Sequence, residues 1–256
     1  MGLNYIEKFL EYLKNEKKLS NNTMQAYLSD LKQYEHFLRN NNIEITKANN
    51  TNVLMYLLNL QKLEKSTATI SRHLASIRCF YEYLQRCGLI NEDPTFNLKV
   101  PRKKKKQPKI LEEHEINALL SLPDIKTEKG LRDKIILQVA YFTGLRVSEL
   151  SELSIKNINF ADKTIVINRN NTSVSLELTN ETIDLINNYL NLFRKDYDEN
   201  EPLFINYLGE RITRQGLWKI IRSYANGIID KPVTPQVIRN SFIANLMKDE
   251  TNLQRL

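Results

Sequence analysis

Two cysteines, three histidines and one tryptophan are all that 256 residues contain of these types. Cys79 and Cys87 stand eight residues apart in what reads as one helix, about 12 Å along its axis, too far to bridge. A reduced, cytoplasmic protein is the expectation. No histidine lies between residues 115 and 256, which removes histidine-based acid/base chemistry from that half of the chain. No run of about 18 apolar residues occurs, so a membrane-spanning helix is excluded. The opening Met1-Gly2-Leu3-Asn4-Tyr5-Ile6-Glu7 lacks the basic and apolar segments of a secretory leader. A P-loop, a GxGxxG turn, a nucleophile elbow and Cys/His metal spacing are all missing. Neither a metal nor a cofactor is expected.

What is present is an ordinary folded composition, 41% hydrophobic and 26% charged, with a net charge of +7. That charge is local. Residues 1–98 carry a net +2 and residues 110–256 a net −2, whereas the eleven residues between them hold seven basic groups and no acid. These are Lys99, Arg102, Lys103, Lys104, Lys105, Lys106 and Lys109. Pro101 and Pro108 interrupt helix there and favour an extended path. The division is therefore a first domain over 1–98, a basic linker over 99–109 and a second domain over 110–256. A solvated charge run and a localisation signal are alternative readings of the linker. A basic strap is also well suited to a phosphate backbone, because each neutralised phosphate releases a counterion.

The first domain reads as a four-helix bundle. Ile6, Phe9, Leu10 and Leu13 follow amphipathic spacing, and Ser20 or Asn21 caps a second helix that buries Met24, Tyr27, Leu28, Leu31 and Leu38. Thr51 is expected to cap a third helix carrying Val53, Leu54, Leu57 and Leu58 inward. The fourth runs from about Ser66 to Cys87, with Ile70, Leu74, Ile77, Tyr81 and Leu84 inward and Gly88 as its stop. Its other face shows Ser66, Thr67, Thr69, Arg72, Ser76 and Arg78, either a plain polar surface or a set of contacts to phosphates and base edges.

The second domain mixes helix and strand. Helices are expected around Ile116–Leu120, over Leu131–Phe142 up to Gly144, and at about 180–193 and 213–226. Thr164–Ile167 and Val174–Leu178 read as a hairpin joined by a polar Asn168–Ser173 connection. A last helix starts with Thr234 as N-cap and Pro235 at the first helical position. Arg146, beside Gly144 and three residues before Glu149, is either an anion clamp held by a carboxylate or a structural ion pair. Gln236, Arg239 and Asn240 share one face of the last helix. Two arginines far apart in sequence are what a scissile phosphate needs for charge neutralisation.

Leu131-Arg132-Asp133-Lys134 through Thr143-Gly144-Leu145-Arg146-Val147-Ser148-Glu149-Leu150 resembles the first arginine motif of the tyrosine recombinases, in the Xer (XerC/XerD type) and phage-integrase branch. Asn21-Asn22-Thr23 with Ala26-Tyr27 and Asp30-Leu31 resembles the opening of that family's core-binding domain. Thr213-Arg214-Gln215 with Trp218 resembles its DNA-contacting helix, and Thr234-Pro235-Gln236-Val237-Ile238-Arg239-Asn240-Ser241-Phe242 its second arginine box. The resemblance implies a mainly α fold: a SAM-like N-terminal helical bundle, then a mixed α+β catalytic domain with a small antiparallel sheet. It implies double-stranded DNA as partner; the candidate contacts are Thr23, Arg214 and Gln215 in the resembling segments, Thr69, Arg72 and Arg78 on the polar face of the fourth helix, and Arg102, Lys103, Lys104, Lys105 and Lys106 in the linker. It also implies assembly on DNA with copies of itself or with another recombinase, away from membranes.

The catalytic positions implied by the resemblance are Arg146, Arg169, Gln236, Arg239 and Asn240. Only Arg146 and Arg239 keep the family's residue type. Arg169 stands where an ungapped alignment places a lysine, and Gln236 and Asn240 stand where the family has histidines or their substitutes. Arginine binds phosphate but is a poor proton donor, and glutamine and asparagine cannot shuttle a proton. The family's tyrosine nucleophile belongs about thirty residues beyond Arg239, and the sequence ends seventeen residues beyond it; Tyr224 is the last tyrosine. Truncation of a longer chain and natural loss of the tail are alternative readings. Three functions follow as expectations: a DNA-binding pseudoenzyme silent by itself, an active recombinase whose tyrosine-bearing tail is absent here, or an interaction module reusing the fold.

Overall fold

A computed structural model describes residues 2–99, 108–169 and 172–253, with backbone alone for 2–4 and 249–253. Arg102 to Lys106 therefore lie outside the described residues. The chain divides into two compact units, 1–105 and 106–256.

In the first unit, α1 (Gly2–Asn15), α2 (Asn21–Asn40), α3 (Asn50–Lys62) and α4 (Thr67–Arg86) enclose one core. Serine starts two of them. The Ser20 hydroxyl accepts from the Thr23 N–H at 3.2 Å, and the Ser66 hydroxyl from the Thr69 N–H at 3.1 Å, satisfying N–H groups that a helix start leaves unpaired. The start of α3 corrects the sequence reading. Its cap is Asn49, in a reciprocal pair with Asn52, and Thr51 lies within the helix. The inward face differs too: Val53, Tyr56, Leu57 and Leu60 are buried, while Leu54 and Leu58 are exposed. Phe9, Leu31, Tyr34, Ile77, Phe80 and Leu84 complete the centre, each apolar side chain contributing roughly 1.5–3 kcal/mol on burial.

Of the polar face expected on α4, Ser76 alone is buried, and with exposed Arg72 it serves a buried carboxylate. Ser76 is fully buried and donates to Asp30 at 3.2 Å, and Arg72 donates to the same buried carboxylate at 2.9 Å. His73 lies beside Asp30 with Nε2 at 3.1 Å, and its Nδ1 is 2.9 Å from the Tyr56 hydroxyl. Next to a carboxylate the proton of neutral His73 belongs on Nε2, so Tyr56 donates to Nδ1. Burial lowers the His73 pKa to about 4, with the Arg72 and Lys65 charges acting in the same sense.

The second unit is built around α6 (Glu128–Thr143), which buries Ile135, Ile136, Leu137 and Val139. Packed with it are α5 (Glu113–Ser121), α7 (Val147–Glu152), α8 (Asn180–Phe193), α9 (Arg214–Ala225) and α10 (Pro235–Leu253). Strands β1 (Ile158–Asn159), β2 (Thr164–Arg169) and β3 (Thr172–Glu177) form an antiparallel sheet in that order. The fold is thus mainly α with one small antiparallel sheet. The hairpin connection is shorter than the sequence suggested, because Asn168 pairs with Ser173 and Arg169 with Thr172. Among the described residues, no helix is long and apolar enough to cross a membrane.

Candidate active site

Arg146, Arg169 and Arg239 come from three elements and meet at one carboxylate, Glu149. Arg146 is the N-cap of α7, and Glu149 sits three residues on. That spacing lets the Glu149 side chain fold back and accept the Arg146 backbone N–H at 2.6 Å and its Nη1 at 3.1 Å, the geometry of a capping box. In β2, Ile165 and Ile167 point to the core. Period-two alternation puts Arg169 on that same inner face. Its Nε and Nη2 donate to the two oxygens of Glu149 at 2.6 and 2.8 Å.

Arg239 reaches the cluster from α10. Its Nη1 donates to the Gly144 carbonyl at 2.6 Å and stands 4.0 Å from Glu149 Oε2. Gly144 ends α6 in the left-handed region at φ 57°, and a Cβ there would meet the Phe242 ring at 2.4 Å. Glycine is required on both counts. Burial opposes ionisation of Glu149, but the hydrogen bonds from Arg169 and the Arg146 backbone, with both guanidinium charges, hold its pKa below the usual range. For Arg239 burial and the neighbouring Arg146 charge lower the pKa, against Glu149. Three cations around one carboxylate leave a net excess of positive charge, and Arg146 keeps 60% of its side chain exposed. The cluster is thus suited to an anion.

Gln236 and Asn240 flank Arg239 on α10. Gln236 donates to Asn240 at 2.8 Å, and Asn240 donates to the Lys109 carbonyl at 3.4 Å. Tyr224 donates to buried Asp133 at 3.1 Å; Asp133 also pairs with Arg132 at 2.7 Å, so this hydroxyl serves the α6–α9 packing. Among the described residues, no group of three His, Cys, Asp or Glu is placed to hold a metal.

The other candidates divide in two. Thr23 and Thr69 share hydroxyl hydrogen bonds with their capping serines, each at 2.9 Å. Arg72 serves Asp30, and Arg78 donates to the Leu98 carbonyl at 2.9 Å. Each of these four has an intramolecular partner. Arg214 and Gln215, by contrast, are exposed at the start of α9, after Thr213, whose hydroxyl accepts from the Gly216 N–H at 3.1 Å. Gln215, Trp218, Lys219 and Arg222 line an open groove of about 630 Å³, and the Arg222 guanidinium lies 5.3 Å from the Trp218 ring centre. The sequence reading paired Glu149 with Arg146 by spacing but missed its contacts with Arg169 and Arg239. No signal in the sequence carries those contacts.

Residues 109–256 match the phage integrase family, and residues 6–88 match the phage integrase N-terminal SAM-like domain. Tyrosine recombinase XerC of Herpetosiphon aurantiacus is 35% identical over 260 residues, spanning 98% of this chain and 85% of that protein. Tyrosine recombinase XerD of Halalkalibacterium halodurans is 33% identical over 261 residues, spanning 98% and 86%. Among solved structures, the Tn1549 transposon integrase in complex with transposon right end DNA superposes with a TM-score of 0.74 at 14% identity, covering 96% of this chain and 87% of that one. A lambda integrase dimer bound to a COC' core site gives 0.73 at 14% identity, covering 96% and 89%. At such identities the structural likeness is one of fold, whereas the sequence matches reach further: the chain belongs to the phage integrase family of tyrosine recombinases, in its Xer-like branch.

Proposed function

We propose that this chain binds duplex DNA and grips a backbone phosphate with Arg146 and Arg239, without cleaving the strand by itself. The observation that carries this reading is the composition of the arginine cluster. Both guanidiniums with donors to spare are retained, while the proton-handling positions hold Arg169, Gln236 and Asn240. Displacing a 5′ oxygen from phosphorus needs two things: neutralisation of charge on the pentacoordinate phosphate, and a proton for the departing oxygen. The cluster is equipped for the first. For the second, an arginine whose guanidinium holds its proton and two carboxamides have no proton to give near neutral pH.

In this reading residues 1–98 form one DNA-binding domain, 99–109 a basic linker along the backbone, and 110–256 a second domain whose α9 reads base edges through Arg214 and Gln215. XerC and XerD relatives and DNA-bound integrases of the same fold support DNA as the partner. The dimeric lambda integrase supports pairing with a second subunit, of this chain or of another recombinase.

The test is selection of bound duplexes from a random pool by the purified chain at about 0.15 M salt, where non-specific affinity is weak. Enrichment of a defined half-site, often in inverted pairs, is the expected result. Salt-sensitive binding without enrichment contradicts sequence recognition, and no binding contradicts the proposal as a whole.

A further inference from the structure

Arg169 stands where an ungapped alignment places a family lysine, and its Nε and Nη2 both donate within the protein, to Glu149. We infer that Arg169 is a positioning residue: its guanidinium latches the end of β2 to α7 through Glu149 and contributes no phosphate contact. Each Glu149 oxygen accepts two hydrogen bonds. Oε1 takes Arg169 Nε at 2.6 Å and Arg146 Nη1 at 3.1 Å; Oε2 takes Arg169 Nη2 at 2.8 Å and the Arg146 backbone N–H at 2.6 Å. An ionised carboxylate offers about four acceptor positions, so Glu149 is saturated and has none left for a ligand.

The latch depends on arginine. A guanidinium presents two parallel N–H groups that match both carboxylate oxygens, whereas an ammonium is a single point of charge. Lysine at this position would satisfy one oxygen at a time. The side chains of Arg169 and Glu149 are 28% and 15% exposed; Arg239 is 20% exposed, so the two-pronged bond to Glu149, not burial, is what sets Arg169 apart. The Glu149 contact raises the Arg169 pKa, so its charge is firmly held. The arrangement aligns Glu149, and Glu149 in turn holds Arg146 by both backbone and side chain. Arg146 and Arg239 are left as the pair that faces a phosphate. This inference rests on the phosphate-gripping reading above.

The experiment has a part that needs no DNA. Denaturant unfolding of the full chain is measured for wild type, Arg169→Gln, Arg169→Lys, Glu149→Gln and the Arg169→Gln/Glu149→Gln double variant. The latch predicts that both Arg169 variants raise the unfolding equilibrium constant, roughly tenfold. In the Glu149→Gln background the further loss from Arg169→Gln largely disappears. Additive losses, or full stability in Arg169→Lys, overturn it. The second part is the slope of log affinity against log salt for a mixed-sequence duplex. Arg169→Gln is expected to leave the slope unchanged while Arg146→Gln lowers it by about one phosphate contact. A slope lowered equally by Arg169→Gln makes it a phosphate ligand and overturns the inference. If the wild-type chain shows no salt-dependent duplex binding, the DNA reading fails and the unfolding cycle still decides the latch.

Discussion

Arg239 donates a hydrogen bond of 2.6 Å to the carbonyl oxygen of Gly144, 95 residues away in sequence, and so joins the two arginine motifs. The bond exists because Gly144 turns the chain in the left-handed region at the end of α6, placing Arg146 two residues later beside the same guanidinium. A turn that looks like simple helix punctuation therefore sets the spacing between the two cations of the site.

Replacing Gly144 by alanine should be costly. The left-handed conformation penalises a Cβ by about 1–2 kcal/mol, and here the added carbon also meets the Phe242 ring at 2.4 Å. A loss of at least about 2 kcal/mol is expected from denaturant unfolding. Because the acceptor for Arg239 shifts as well, DNA affinity should fall in protein that remains folded. Wild-type stability in this variant would contradict the geometry described.

The Asp30, Arg72, His73, Ser76 and Tyr56 network predicts a pH dependence. His73 has a folded pKa of about 4, below its unfolded value of about 6.5. The unfolded chain therefore binds more protons between those values. Stability is complete above about pH 6.5 and is lost as the pH falls toward 4, by up to about 3 kcal/mol. Asp30, raised by burial against the pull of Arg72 and Ser76, acts in the opposite sense and trims that loss. His73→Gln should flatten this limb of the stability profile. An unchanged limb would place its origin elsewhere.

The exposed start of α9 predicts a change in DNA preference. Arg214→Ala or Gln215→Ala should alter affinity by about 1–3 kcal/mol at a few base pairs, with little change elsewhere in the site. Neutralising Lys103 through Lys106 should instead weaken binding to all sequences and flatten its salt dependence. Competition assays with single-base variants of a selected half-site separate the two effects. Uniform weakening by the α9 variants would remove that helix from base readout.

The local signals were legible and the distant ones were not. Ser20 and Thr234 cap helices where their spacing placed them, and Gly144 ends α6 as expected. Each effect is confined to one turn of chain. In α3 the run Val53-Leu54-Met55-Tyr56-Leu57-Leu58 is apolar all round, so its period fits more than one inward face. The choice falls to a tertiary contact, the Tyr56 hydroxyl against His73. Ser76 reads as surface although it is buried, because its partner Asp30 is more than forty residues away in sequence; exposed Arg72 reaches the same carboxylate. The strands extend past the apolar residues because backbone pairing makes no demand on polarity, and Asn168, Arg169 and Ser173 join the ladder although they are polar. Glu149 shows the same limit: its bond to Arg146 is a spacing of three, whereas Arg169 and Arg239 reach it only through the fold.

The central claim is that the site holds a phosphate it does not cut, and a nicked duplex carrying the selected half-site tests it most directly. A nick next to the scissile position lets the short displaced fragment escape, so any strand attack is trapped as a covalent protein–DNA adduct. The account predicts a complex on a native gel and no adduct after denaturation. A denaturation-resistant adduct formed by this chain alone would contradict it.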